Sequence, residues 1–281
     1  MPKLYKHIYL SPHYDDASLS GGGSIHRQVQ AGEPVLVITI CAAPPPDQRF
    51  SPFAQTLHKT WGDPEDVVAT RRAEDQAALA ILGADYVRLN FTDCIYRGDA
   101  QAQAWYYPSD SDIFGEIHPA EHGLSNEMMR QIVEAAPHWQ DARLYAPLAV
   151  GHHVDHQLAR TAAWQLWLQG WDVSFYEDYP YADPDDTFRK GHRAYDLKAT
   201  LATWPEAKLQ PRLRSLSAEN LEAKINSIRA YFSQIPLLFK SETDMKQRVH
   251  TYALYVGEGS LAERIWIPGP GAILKKPKKI Y

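Results

Sequence analysis

Imidazole and carboxylate groups cluster at two places in this chain. In the segment 8–23, which reads IYLSPHYDDASLSGGG, an apolar run is followed by His13, Asp15 and Asp16 and then by three glycines. The second cluster is the segment 151–156, GHHVDH, which holds three histidines and an aspartate. Imidazole nitrogen and carboxylate oxygen are typical ligands of zinc and related divalent cations. Both clusters therefore indicate a metal site.

Each cluster follows an apolar run that predicts a buried β-strand, at His7 to Leu10 and at Arg143 to Val150. The carboxyl ends of parallel strands meet at one edge of an open α/β sheet, where ligands bind. We therefore expect His13, Asp16 and one histidine of the second cluster to converge. Three protein ligands with a fourth position for water are typical of catalytic zinc sites, and this pattern favours a hydrolase.

Two features have alternative interpretations. Asp155 begins a predicted helix, so it could be an N-cap, or its carboxylate could orient a metal-binding histidine. The glycines 21–23 could cradle a phosphate at a helix N-terminus. Their spacing lacks the GxGxxG pattern and no phosphate-binding lysine follows, which favours close packing of a helix on the sheet.

Strands and helices alternate along the chain, which predicts a Rossmann-like, doubly wound, mostly parallel sheet with helices on both faces, a three-layer α/β/α fold. The predicted strands are 7–10, 34–41, 85–91, 143–150, 172–176 and 262–267. The predicted helices are 24–30, 66–82, 126–136, 157–168 and 218–232. We expect one domain over residues 1–281, in which the long connections 44–64, 93–125 and 179–217 surround the site. The polar segment 182–217 is expected to be irregular.

The second long connection is rich in aromatic residues, namely Tyr96, Trp105, Tyr106, Tyr107 and Phe114. Aromatic side chains commonly form the walls of small-molecule pockets, but they can equally pack as a satellite cluster on the sheet. The sequence leaves both interpretations open.

Composition excludes several classes of protein. The net charge of -5 argues against a nucleic-acid-binding surface, and the basic run Lys275 to Lys279 is expected to be a solvated tail. Two cysteines give no disulfide framework, which favours a reducing, cytoplasmic setting. No apolar stretch reaches the length of a membrane span, and the first residues lack a signal-peptide pattern. A homo-oligomer is left open.

The motif SPHYDD with its glycine run, followed far downstream by HHVDH, resembles the PIG-L or LmbE-like N-deacetylases. These metal-dependent enzymes remove acetyl groups from N-acetylglucosamine-type sugars and related conjugates. The resemblance extends from about Ile8 to Phe239. The sequence departs from the family pattern at Tyr14 and Val154, where the family has proline, and at Ala17, where it has glutamate. The change at Ala17 bears on the surroundings of the metal and on metal preference.

The resemblance implies that one divalent metal ion, with zinc favoured, is held by His13, Asp16 and His156. It implies that Asp15 is the general base acting on the attacking water. It also implies that His153 stabilises the developing oxyanion and that Asp155 orients the His153 ring. Some members carry a tyrosine as an acid two residues before the first histidine of the second motif. Gly151 stands at that position, which leaves His152 and Tyr106 as alternative acids.

Two further positions resemble the family's substrate-binding residues. Arg71 and Glu74 match an arginine-to-glutamate pair on the helix before the third strand, and Asp93 follows that strand, where relatives bind sugar hydroxyls. The alternatives are an ordinary surface pair for Arg71 with Glu74 and a solvated loop carboxylate for Asp93.

The expected reaction is therefore metal-assisted hydrolysis of the amide of an N-acetylglucosamine-type sugar conjugate, a small-molecule substrate, with release of acetate. Two alternatives remain. One is a sugar- or nucleotide-binding module without turnover, and the other is a metal-dependent esterase or phosphoesterase using the same site.

Overall fold

The computed structural model describes residues 3–46, 49–136, 138–185, 196–204 and 208–269. In chain order, the strands are β1 (His7–Ser11), β2 (Val35–Thr39), β3 (Asp85–Arg88), β4 (Gly98–Asp99), β5 (Ala104–Trp105), β6 (Arg143–Pro147), β7 (Asp172–Tyr176), β8 (Leu209–Ser215) and β9 (Ala262–Pro268). The α-helices are α1 (Asp16–Gln30), α2 (Pro52–Thr60), α3 (Val67–Leu82), α4 (Asp110–Ile113), α5 (Leu124–Ala135), α6 (Val154–Leu168), α7 (Leu197–Ala202), α8 (Ala218–Ala230), α9 (Ile235–Leu238) and α10 (Glu242–Val256).

The described residues form a seven-stranded sheet in the order β3-β2-β1-β6-β7-β9-β8. The first five strands in this order are parallel, and β9 and β8 are added antiparallel. The chain moves outward from β1 to β2 and β3 on one side, and then from β6 to β7 on the other. The strand order therefore reverses between β1 and β6, which is where open α/β sheets bind ligands. The predicted doubly wound, mostly parallel fold is confirmed.

Strand residues alternate between two apolar layers. Ile8 and Leu10 of β1 face a core that includes residues of α5 and α6, whereas Tyr9 faces a core that includes residues of α1 and α3. Helix α8 packs across α1 and α3. Because the central strands are buried on both faces, their sequences read as continuous apolar runs rather than as alternating patterns.

The first helix begins at Asp16, whereas the sequence analysis placed its start at Ser24. The three glycines therefore lie inside α1. A Cβ atom on Gly21 would lie 2.9 Å from the ring of Tyr9, and one on Gly23 would lie 2.6 Å from Leu216. The glycines allow α1 to approach its neighbours closely. This supports the interpretation that they serve packing rather than phosphate binding.

The C-terminal part and the long connections contain more regular structure than predicted. The segment 182–217 includes β8, an exposed edge strand whose polar residues give no strand pattern, and α10 was not predicted at all. The connection 44–64 includes α2, and 93–125 includes the short hairpin of β4 and β5. These connections therefore contain packed secondary structure and are not simple loops.

The sequence also made predictions about membrane spans, the two cysteines and the basic run near the C-terminus. Among the described residues, no helix has the length and apolarity needed to cross a membrane. Cys41 and Cys94 are both buried, and neither forms a disulfide. The basic run Lys275 to Lys279 lies outside the described residues.

Candidate active site

A cavity at the carboxyl edge of the parallel strands brings the predicted site residues together. Its lining includes His13, Asp15, Asp16, Arg71, Asp93 and His153. Asp155 and His156 are almost completely buried, at 1% exposure each, and contact the lining residues. Residues from the ends of β1, β3 and β6 therefore meet although they are far apart in the sequence.

Asp16 lies close to a ring nitrogen of each of the two proposed ligand histidines. Asp16 Oδ2 lies 3.4 Å from His13 Nδ1 and 3.4 Å from His156 Nε2. Nitrogen and oxygen ligands that bind zinc tetrahedrally at about 2.0–2.1 Å are separated from one another by about 3.4 Å. The His13 backbone N–H donates to the same Asp16 oxygen at 2.7 Å and fixes it in place. The two distances to Asp16 therefore fit a divalent cation, and ring nitrogens of His13, His153 and His156 also lie within 4.8 Å of one another.

The remaining nitrogen of each proposed ligand histidine faces a buried carboxylate. His13 Nε2 is 3.0 Å from Asp155 Oδ2, and His156 Nδ1 is 2.6 Å from Asp178 Oδ1. Such partners fix the tautomer and the ring orientation of a metal-binding histidine. Asp178 was not predicted from the sequence, although its position two residues after the end of β7, at the same edge of the sheet, was a usable signal.

Several carboxylates surround the two proposed ligand histidines. Burial alone would lower the pKa of His13, but the carboxylates of Asp93, Asp155 and Asp16 raise it to about 10. Burial would likewise lower the pKa of His156, whereas Asp16 and Asp178 bring it well above its ordinary value. The surrounding carboxylates therefore favour positive charge here, a demand that a divalent cation would also meet.

Asp15 lies beside the proposed ligands without joining them. Its Oδ1 accepts a hydrogen bond from Arg71 Nη2 at 3.2 Å. Burial raises the pKa of Asp15 and the adjacent Asp16 adds to this effect, while Arg71 opposes it, so that the pKa stays above its ordinary value. Asp15 precedes α1 but makes no side-chain capping bond. Its carboxylate lines the cavity, as a base acting on water must.

His153 has a different environment from the other two histidines. It is the N-cap of α6, and its Nδ1 accepts the Asp155 backbone N–H at 3.2 Å. Burial lowers its pKa well below the ordinary value, and the nearby His13 and His156 add to this effect. The ring is therefore neutral, and because Nδ1 is an acceptor, Nε2 carries the proton. A neutral Nε2–H is suited to donate to an oxyanion.

The interpretation of Asp155 as an N-cap is wrong, because His153 occupies that position. The Asp155 carboxylate is hydrogen-bonded to His13, whereas the hydrogen bond from Asp155 to His153 comes from its backbone N–H. The same carboxylate accepts a hydrogen bond from the Cys94 backbone N–H and forms an ion pair with Arg97. Arg97 was not predicted, because nothing in the sequence of the long connection 93–125 relates it to the motifs.

Arg71 and Glu74 do not form a surface pair, since they are only 7% and 2% exposed and bind different partners. Glu74 accepts the backbone N–H and the hydroxyl of Ser233, each at 2.8 Å. Arg71 points into the cavity, with its guanidinium 5.1 Å from the Trp61 ring and 3.8 Å from Asp93 Oδ2. Asp93 thus lies beside the site and is not a solvated loop carboxylate.

The two alternative acids do not lie at the cavity. Tyr106 stacks on His118 with ring centres 4.1 Å apart, and His152 Nδ1 lies 3.1 Å from the side-chain amide of Gln157. At Gly151, where φ is +86°, a Cβ atom would lie 2.8 Å from Cγ of Tyr181. The Tyr181 ring lines the cavity and therefore occupies the space beside Gly151.

The rest of the cavity wall is largely apolar. The cavity has a volume of about 680 Å³ including its open mouth. The apolar side chains of its wall include Leu57, Trp61, Ile95, Ile113, Phe114 and Leu237. Of the aromatic residues in the connection 93–125, Phe114 lines the cavity and also belongs to the buried apolar cluster that contains Tyr96 and Tyr107, which are not part of the lining. This cluster therefore supports one wall of the cavity, and the two interpretations of the aromatic segment are not exclusive.

The chain is similar to known deacetylases in sequence and in fold. The PIG-L family, described as GlcNAc-PI de-N-acetylase, matches residues 8–167. A 2'-N-acetylparomamine deacetylase of Niallia circulans is 29% identical over 257 residues, covering 84% of this chain and 91% of the relative. A protein of the same name from Streptomyces fradiae is 26% identical over 280 residues, covering 94% of this chain and 90% of the relative. The zinc-inhibited form of teicoplanin deacetylase Orf2 is 28% identical, with a TM-score of 0.77 over 94% of this chain and 99% of that one.

Proposed function

Since the chain belongs to the PIG-L family and is accordingly an N-deacetylase, we propose that it hydrolyses the N-acetyl amide of an amino sugar within a larger conjugate. The observation that carries this proposal is the position of Asp16 Oδ2, which is 3.4 Å from a nitrogen of both His13 and His156. We propose zinc as the ion, because these are its preferred N and O donors. Such an ion would acidify water and polarise the acetyl carbonyl.

The chain's own groups would move the protons. Asp15 takes a proton from the attacking water, which adds to the carbonyl carbon, and later returns the proton to the leaving amine. His153 donates its Nε2–H to the carbonyl oxygen as negative charge develops there, an interaction whose loss typically costs about 3 kcal/mol. Acetate and a free amino sugar are the products.

We propose that Arg71 and Asp93 bind the sugar. Both line the cavity beside His13, and their charges are complementary, 3.8 Å apart. We propose that the Asp93 carboxylate accepts hydrogen bonds from sugar hydroxyls and that Arg71 binds a polar or anionic substituent of the sugar. The apolar walls would contact the ring face and the remainder of the conjugate. The net charge of -5 fits a small-molecule substrate better than nucleic acid, and we propose a cytoplasmic enzyme.

A competition assay tests the substrate class. Zinc-loaded protein is given equal amounts of N-acetylglucosamine conjugates and acetyl-lysine peptides, and acetate release is followed with and without chelator. We expect chelator-sensitive release from the sugars. Preferential hydrolysis of the peptides would overturn the sugar assignment, and bound zinc without any turnover would favour the binding module.

O-acetyl and phosphate esters of the same sugars complete the panel. Faster cleavage of either ester than of the amide would favour the esterase or phosphoesterase alternative. The Asp15→Asn variant is the matched control, because it removes the proposed base but none of the proposed ligands.

A further inference from the structure

Behind the proposed metal ligands lies a buried guanidinium that takes no direct part in the reaction described above. Arg97 follows the short turn 94–96 in the long connection 93–125, and its side chain is 9% exposed. It lies outside the lining of the catalytic cavity but reaches the carboxylate of Asp155. Burying a charge is costly unless well-placed partners compensate for the lost hydration. The contacts of the Arg97 guanidinium therefore indicate its role.

Arg97 connects three separate acceptors. Its Nη1 donates to Asp155 Oδ1 at 2.5 Å and to the Thr92 carbonyl at 3.2 Å, and its Nη2 donates to Glu121 Oε2 at 3.0 Å. The hydroxyl of Tyr107 donates to the same Glu121 oxygen at 2.7 Å. The planar fork of an arginine makes such simultaneous contacts possible, and a lysine cannot reproduce them.

Asp155 passes this constraint on to a proposed metal ligand. With Oδ1 held by Arg97, its Oδ2 accepts His13 Nε2–H at 3.0 Å and the Cys94 backbone N–H at 3.1 Å. The side chain of Asp155 is completely buried, so water does not compete for these bonds. With its Nε2–H bound in this way, His13 presents Nδ1 to the oxygen of Asp16.

We propose that Arg97 is a positioning residue: by holding Asp155, it fixes the orientation of His13 and keeps Nδ1 facing Asp16, where the two side chains would hold a cation. The inference rests on the proposed metal-dependent function. It gives the connection 93–125 a role in the chemistry besides its role in the cavity wall, since Arg97, Glu121 and Tyr107 all come from it.

The test compares zinc affinity and kinetics in two Arg97 variants and one control. Arg97→Gln removes the charge, and Arg97→Lys keeps the charge without the fork. Lys224→Gln breaks a similarly buried ion pair, with Nζ 2.7 Å from Glu263 Oε1, that contacts none of the proposed ligands. Zinc dissociation constants come from chelator competition, and kcat and KM are measured at saturating zinc.

Loss of the hydrogen-bond partner of a metal ligand usually weakens binding about 10- to 100-fold. Arg97 acts on His13 through Asp155, so we expect Arg97→Gln to weaken zinc binding by about 10-fold, the lower end of that range. At saturating zinc, kcat should fall while KM changes little. Arg97→Lys should weaken binding less, and Lys224→Gln should lower the melting temperature without changing zinc affinity.

Folded Arg97 variants that bind zinc as tightly as the wild type would overturn the proposal. If Arg97→Gln fails to fold, the affinity of Arg97→Lys decides the question in the same way. A wild-type protein that binds no zinc would refute the proposed function itself, a result distinct from failure of this inference.

Discussion

At the residue scale, three neighbouring histidines differ in the atoms that face them. His13 and His156 each direct one nitrogen at a carboxylate and the other at Asp16. His153 instead accepts a backbone N–H on Nδ1 and has a lowered pKa. The first two are thereby suited to hold a cation and the third to donate a hydrogen bond.

Asp15→Asn tests the proposed base. The amide is nearly isosteric but cannot accept the proton, so we expect kcat to fall by about two to four orders of magnitude. Zinc content should stay at the wild-type level, because Asp15 is not among the proposed ligands. Elemental analysis and steady-state kinetics measure the two quantities, and a fully active Asn variant would refute the role.

Asp178→Asn tests the carboxylate behind His156. Weakening the 2.6 Å contact with His156 Nδ1 should lower zinc affinity about 10- to 100-fold. Asp172→Asn is the matched control, since Asp172 lies at the opposite end of β7 in an exposed pair with Arg143. Equal zinc affinity in the two variants would contradict the assignment.

The sequence predicted the site residues that lie in short motifs, and it missed those that join the site through the fold. Spacing and strand ends predict His13, Asp16 and one histidine of the second motif as ligands, and only the family resemblance selects His156. Asp178 and Arg97 act on those histidines from remote segments, and Tyr181 is placed by its fit over Gly151. Such contacts depend on tertiary packing, which has no local signal.

At the scale of elements, the accuracy of the prediction follows burial. Strand β7 was predicted with its observed ends, Asp172 and Tyr176, because its apolar residues are buried. Helix α3 has its N-cap at Asp66 and ends at Gly83, whose backbone is in the left-handed conformation. Aspartate and glycine at these positions are ordinary sequence signals of helix ends. Strand β8 was missed because an exposed edge strand needs no apolar pattern.

Helix α3 also carries a carboxyl group whose ionisation opposes folding. Burial raises the pKa of Asp75 to about 6, despite the opposing effects of Arg88 and the Tyr231 hydroxyl. Because the folded pKa exceeds the unfolded value of 3.8, stability should decrease as the pH rises from about 4 to about 6. The loss is at most about 3 kcal/mol.

Asp75→Asn should remove this pH dependence. Urea unfolding of both proteins between pH 4 and pH 7 measures it, and we expect the variant to gain stability relative to the wild type as the pH increases. A constant difference between the two proteins across this range would show that Asp75 does not titrate there.

At the scale of the whole molecule, topology places the site. The reversal of strand order between β1 and β6 brings the two motifs to one edge, a result that the alternation of strands and helices allowed us to predict. The antiparallel addition of β9 and β8 was not predicted, because the order and direction of edge strands depend on pairing between segments distant in sequence.

Zinc should stabilise the whole fold if the proposed ligands bind it. A ligand at one hundred times its dissociation constant adds about 2.7 kcal/mol to the free energy of unfolding. We expect zinc to raise the melting temperature of the wild type and a chelator to reverse the shift. His156→Ala should fold but show no shift, and a wild-type-sized shift in that variant would mean that zinc binds elsewhere.

The proposed metal ligands and the cavity walls come from different parts of the architecture. The ligands follow the central strands β1 and β6, whereas Leu57, Ile113 and Leu237 belong to α2, α4 and α9, which lie outside the sheet. Mutational libraries confined to those three helices would therefore vary substrate preference while leaving the hydrolytic centre intact. In evolutionary terms, one catalytic apparatus can acquire new substrates by exchanging peripheral segments.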